Sequence, residues 1–271
     1  MNKNKRLLTN LFVMALVILM TPLVSLADDA KARAIMVKVD ARDDGDNSIS
    51  QMEMILIDKR NNRRVRKIKI FTKYFGVDRY RLMFFLQPAD VKDTGFLTYD
   101  YDDPEKDDDQ WLYLPALQKT KRIAASDKSA SFMGSDFNYS DMTKKDPEDY
   151  DYKLSKDSEV RGEPVWVIEA VPRTKEIIDE TGYKKSWLLV RKDNYMVVRA
   201  VHMTRDGGKH KYLDVVRLKK IDGIWTGLET IMTTKKGKKT THKTVLKLSN
   251  VRYNQKLDDN VFTVRRLEKG F

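Results

Sequence analysis

From Ile49 onward the chain alternates. Ile49, Gln51, Glu53, Ile55 and Ile57 fall on one side of an extended backbone; Ser50, Met52, Met54 and Leu56 fall on the other. A period of two predicts a strand, and Asn61-Asn62 supplies the turn that ends it. Residues 65–74 return as a second strand that alternates basic with apolar side chains. Residues 79–87 form a third, with Tyr80, Leu82, Phe84 and Leu86 on one face, and Pro88 stops it. Three shorter strands are predicted over 96–101, 110–114 and 119–123. Between Ala124 and Pro147 the alternation fails, and Phe132, Met133, Phe137, Tyr139 and Met142 stand among Ser and Asp. That stretch predicts loop and short helix. Alternation then resumes over 150–160, 164–171, 183–191, 196–204, 209–219, 224–234 and 239–248, and strands are expected to hold to the end of the chain. Residues 30–39, ahead of the first strand, predict a short helix.

Many strands in meander order predict a mainly β protein with a few helices, built on one large antiparallel sheet. Such a sheet needs its inner face covered, by closure or by helices, because an exposed apolar face and open edges invite aggregation. No Pro/Gly/Ser linker divides residues 28–271, so a single domain is expected there.

The first 27 residues have a different character. Lys3, Lys5 and Arg6 precede an apolar run from Leu11 to Met20, Pro22 breaks it, and Ser25-Leu26-Ala27 follows. This is the layout of a signal peptide cleaved near Ala27. The run is too short for the roughly 20 residues that span a bilayer. Export is therefore expected, and it changes how the charge is read. The formal net charge is +12, with three of the cations in the leader. Outside the cytoplasm an excess of cations points away from nucleic acid, and towards transient contact with an anionic membrane surface or simply towards solubility. Cysteine is absent, so no disulfide and no cysteine-linked lipid is available, and the fold rests on its own core.

Catalytic patterns are missing. There is no cysteine nucleophile, Gly-x-Ser-x-Gly elbow or Gly-rich phosphate loop, so no enzyme and no cofactor is expected. His202, His210 and His242 lie on hairpin strands without metal-ligand spacing and are expected at the surface, so no metal site is expected. The acidic tract from Asp100 to Asp109 lacks the order of a calcium loop and reads as a solvated hairpin tip. The basic hairpin Lys235, Lys236, Lys238 and Lys239, with Lys243, reads equally as a headgroup contact or as a polar turn.

The run Trp111-Leu112-Tyr113-Leu114-Pro115-Ala116, the basic strand Lys119–Ile123 and the segment Gly134-Ser135-Asp136-Phe137-Asn138-Tyr139-Ser140-Asp141 stand in a fixed order. They are preceded by Phe85-Leu86-Gln87-Pro88-Ala89-Asp90. In these motifs the chain resembles the outer-membrane lipoprotein-sorting protein family, the LolA-like proteins, and in particular the branch associated with RND-type exporters. The resemblance implies a half-open LolA/LolB-like β-barrel covered by helices. It implies a periplasmic protein that holds lipid or lipoprotein acyl chains non-covalently in an apolar cavity for transfer between membranes. Its alternative is a non-catalytic accessory or adaptor of an inner-membrane RND-type exporter. On this basis Met52, Met54, Leu82, Phe84, Trp111 and Trp166 are candidates to line a cavity. Phe132, Met133, Phe137 and Tyr139 leave the strand pattern and are candidates for a lid. Arg81 and Arg122 are candidates to meet a headgroup or to steady the lid.

Overall fold

The computed structural model describes residues 28–271; the leader on which the export expectation rests lies outside the described residues. Helix α1 (Ala30–Asp40) opens the described chain. The Asp29 carboxylate accepts from the backbone N–H groups of Lys31 and Ala32, satisfying donors that a first helical turn leaves unpaired. Strands follow in two meanders. The first holds β1 (Asn47–Asp58), β2 (Arg63–Phe75), β3 (Asp78–Gln87), β4 (Gly95–Asp100), β5 (Asp109–Leu114) and β6 (Lys119–Arg122). The second holds β7 (Tyr150–Val160), β8 (Glu163–Pro172), β9 (Tyr183–Arg191), β10 (Val197–Thr204), β11 (His210–Ile221), β12 (Ile224–Lys236) and β13 (Lys239–Tyr253).

All thirteen strands form one sheet in the order β6-β5-β4-β3-β2-β1-β13-β12-β11-β10-β9-β8-β7. Every junction joins chain neighbours except β1 with β13, and every pairing is antiparallel. The sheet does not close, which gives the half-open barrel. Its two edges are β6 and β7, which are consecutive in sequence. The chain between them, residues 123–149, must therefore cross from one edge to the other. It does so as a strap of short 3₁₀ turns at Ala125–Asp127, Phe132–Gly134, Tyr139–Met142 and Pro147–Asp149.

Directly paired residues of an antiparallel sheet share a face. The chain of partners Leu56, Thr244, Met232, Leu213, Ala200, Leu188 and Ile168 therefore traces one inner face across seven strands. The strap and α1 cover it. The strap packs over β1–β5, and α1 packs on Tyr150, Tyr152, Ile168 and Val190 of β7–β9. On the other face, Phe71, Leu82, Leu97 and Trp111 are register partners that lie under the C-terminus.

Two elements depart from expectation. Strands do not hold to the end: β13 runs on to Tyr253, after which the chain forms a 3₁₀ turn (Asp259–Phe262) and helix α3 (Val264–Lys269) against the outer face. Leu267 of α3 sits so close to β4 that a Cβ on Gly95 would lie 2.4 Å from its Cδ1, so glycine at this position makes the contact possible. Helix α2 occupies Lys175–Thr181, where no element was anticipated; Thr174 caps its start and Gly182, with φ +75°, ends it.

Candidate functional site

The strap has an apolar half and a polar half, and they meet different parts of the inner face. In the apolar half, Phe132 is fully buried. Its ring centroid lies 5.0 Å from Phe96, 5.5 Å from Tyr139 and 6.3 Å from Phe85. Phe137 and Met142 pack into the same cluster as Met52, Met54, Ile68 and Met83. Two arginines hold the backbone of this half: the buried Arg66 donates to the Met133 carbonyl, and the partly buried Arg81 donates from Nη1 to the Met142 carbonyl at 3.3 Å. Burial, with Arg79 beside it, pulls the Arg81 guanidinium down to about 10.

The polar half is organised by Asp136. Its carboxylate accepts from Thr234 Oγ1 and from Thr244 Oγ1 (2.7 Å), and lies 2.6 Å from His242 Nδ1. Its backbone N–H donates to Thr244 Oγ1 at 2.9 Å. Lys211 Nζ donates to the Asp136 carbonyl and to Asn138 Oδ1, both at 2.6 Å. Burial holds that ammonium below the usual lysine range, against the opposing pull of Asp141 and Asp136. Asp141 caps the turn at Asn138 and accepts from the Tyr183 hydroxyl at 2.9 Å. Lys128 is buried and paired with Glu180 at 2.7 Å. The strap is thus latched to β9, β11, β12 and β13 by charge-assisted hydrogen bonds, and to β1–β5 by aromatic packing.

Two cavities lie at the flanks of the strap, and polar residues make up most of their walls. One of about 580 Å³ runs between strap residues 129–138 and the β10–β11 and β12–β13 hairpins, with Arg205, Lys209, Lys211 and His242 in its wall. The other, of about 370 Å³, is bounded by the β4–β5 loop and by Arg79, Lys144, Lys145 and Glu180. In it Asp108 turns inward to accept from the Tyr101 N–H at 3.0 Å, and burial beside Asp100 pushes its carboxyl up to about 6. The apolar strip itself is occupied by strap side chains.

The ten candidates separate into three groups. Met52, Met54, Phe132 and Phe137 share one cluster, with Met133 and Tyr139 packed against it. Leu82, Phe84 and Trp111 lie on the opposite face, in the cluster under α3. Alternation grouped Leu82 with Phe84 but did not say which face was inner, because Leu82, Met83, Phe84 and Phe85 are all buried and β3 is covered on both sides. Trp166 belongs with the α1 cluster and stacks on Tyr195 at 5.7 Å. Arg122 is exposed and pairs with Asp109 on the rim.

Two of the three histidines also differ from expectation. His242 joins the latch, and His202 stacks on Tyr183 at 4.6 Å with Nδ1 2.8 Å from Ser186 Oγ. Sequence reasoning missed Lys211, Thr234, His242 and Thr244. The available signal was an aspartate inside an aromatic segment, which needs polar partners once buried. Burial holds His202 down at about 4 against an ordinary 6.5. The unfolded chain therefore binds a proton that the folded one refuses, and this contribution to stability is present above about 6.5 and lost as the pH falls towards about 4. Thermal unfolding from pH 7 to pH 4 is expected to fall more steeply for the wild type than for His202→Gln; parallel curves would contradict it.

A family model described as an uncharacterized protein matches residues 77–269. A DUF1329 family protein from Desulfovibrio piger is similar at 33% identity, with a TM-score of 0.80 over 89% of this chain and 99% of that one. A protein from Vibrio parahaemolyticus assigned as an outer membrane lipoprotein-sorting domain is also 33% identical, with a TM-score of 0.79 over 88% of this chain and 98% of that one. A LolA superfamily protein from Nitrosomonas europaea, at 18% identity and a TM-score of 0.65 over 87% and 98% of the two chains, shares the fold. No curated protein matches the sequence.

Proposed function

Since the chain belongs to the DUF1329 family and has the LolA-superfamily fold, we propose that it is a periplasmic carrier that binds lipid or lipoprotein acyl chains non-covalently, without turnover. The observation that carries this is the strap. The apolar strip over β1–β5 is covered by Phe132, Phe137 and Met142, side chains that an acyl chain would replace like for like. Each methylene withdrawn from water is worth roughly 0.8 kcal/mol, so a long acyl chain has ample free energy to displace three side chains. Because the strap's own contacts compete with the cargo, they also favour its release. Such a cycle needs apolar area and a reversible latch, and no reacting group.

A second reading, a non-catalytic adaptor of an inner-membrane RND-type exporter, is favoured by the inner face being filled by side chains of the strap. Native mass spectrometry of protein purified gently from the periplasm, followed by solvent extraction, separates the two. The carrier is expected to hold a stoichiometric lipid or lipopeptide. A clean apo mass, unchanged after incubation with membrane lipids, would transfer the assignment to the adaptor.

A further inference from the structure

The register places three hairpin tips side by side at one end of the sheet. Asp58 at the end of β1 faces His242 near the start of β13, and Lys235 at the end of β12 faces His210 at the start of β11. The β1–β2, β12–β13 and β10–β11 turns therefore project together. The first carries exposed Arg60, Arg63 and Arg64, the second exposed Lys236, Lys238 and Lys239, and the third exposed Arg205 and Lys209. The two acids among them bond within their own turns: Asp58 accepts from Arg60 N and Asn62, and the exposed Asp206 from Gly208 N and the Thr204 hydroxyl. Arg205 reaches a carboxylate only at 3.7 Å, on Asp179.

The opposite end has the reverse sign. The loop from α1 to β1 carries Asp43, Asp44 and Asp46, and the β4–β5 loop carries Asp102, Asp103, Glu105 and Asp107. The molecule is polarised along its strands, a charge distribution that orients it on a charged plane. The 580 Å³ cavity at the latched edge of the strap is walled by Arg205, Lys209 and His242, so it belongs to the basic end.

We propose that this basic end docks the protein on a bilayer containing anionic phospholipid headgroups, with the strands upright and the latched edge of the strap facing the membrane. The surface goes beyond the cargo assignment and does not depend on it. Clustered Lys and Arg each add to the attraction of an anionic surface within a Debye length, about 8 Å at physiological salt.

The test is co-sedimentation of the purified protein with phosphatidylcholine vesicles made with and without phosphatidylglycerol. Binding is expected only to the phosphatidylglycerol vesicles, and is expected to be lost in about 1 M salt, where the Debye length falls to about 3 Å. Combining Lys236→Glu, Lys238→Glu and Lys239→Glu is expected to weaken binding by about tenfold or more. The matched reversal at the other end, Lys219→Glu, Lys220→Glu and Lys256→Glu, is expected to leave it intact; all six side chains are exposed, and unchanged thermal unfolding checks the fold. Equal binding to both vesicle types, no binding to either, or identical behaviour of the two triple variants would each overturn the proposal. Retention on an acidic protein without vesicle binding would overturn it too, in favour of a protein partner. Vesicle docking by a protein that native mass spectrometry finds lipid-free would leave this surface standing while the cargo assignment falls.

Discussion

Replacing Asp136 with alanine is expected to lower the unfolding free energy by about 3–5 kcal/mol, because it removes the acceptor shared by Thr234, Thr244 and His242 together with one of the two carboxylates that act on the buried Lys211. Lys211 is buried beneath the strap, and two threonine hydroxyls and His242 converge on the same carboxylate. Removing that acceptor leaves the two threonines and His242 short of a partner; Lys211 keeps its hydrogen bonds to the backbone carbonyl of residue 136 and to Asn138, but only Asp141 remains of the two carboxylates that act on it. Urea unfolding of Asp136→Ala measures the loss, and hydrogen exchange over residues 129–142 locates it. Adding Lys211→Met to Asp136→Ala should recover part of the stability, since a buried charge that has lost one of its two carboxylates goes with it. A single variant within about 0.5 kcal/mol of wild type, the ordinary range for surface changes, would mean that the latch contributes nothing.

Phe132→Ala is expected to cost about 3–5 kcal/mol by the loss of a fully buried aromatic ring. The carrier assignment adds a second expectation of opposite sign. Phe132 is part of the plug that competes with cargo, so its removal should tighten the binding of a fluorescent fatty acid while the fold weakens. Relief of even 1.4 kcal/mol of competition is a factor of about ten in Kd. Phe84→Ala, a cavity of similar size on the outer face, should destabilise without changing affinity. Equal affinity for wild type and Phe132→Ala would separate the strap from any binding event.

The strands were legible because half-buried sheets write their burial into a period of two. In β1 the pattern named Ser50, Met52, Met54 and Leu56 as one face, and those four are the buried ones. The same signal says less where both faces are covered, which is why Leu82 and Phe84 were grouped with Met52 although they point the other way. The outer cover was hard to foresee: α3 is only six residues long, and its placement depends on the absence of a side chain at Gly95. The strap was recognisable as a departure from alternation, with Phe132 and Phe137 in it. Its latch was not, since Asp136 finds partners about a hundred residues away and nothing local marks them.

Because β6 and β7 are the two edges of the sheet, the segment joining them is tethered at both ends to opposite sides of the fold. A flap fixed at one end swings aside; a band fixed at both can only bow outward. Its opening is therefore bounded by its own length, and its closing needs no long-range search for the site, since both of its ends stay in place. A band also blocks sideways approach. On the carrier proposal, an acyl chain that shares the inner face with the band would enter parallel to the strands, from the basic end or from the acidic end. For the carrier proposed above, the topology would make direction of entry a property of the molecule.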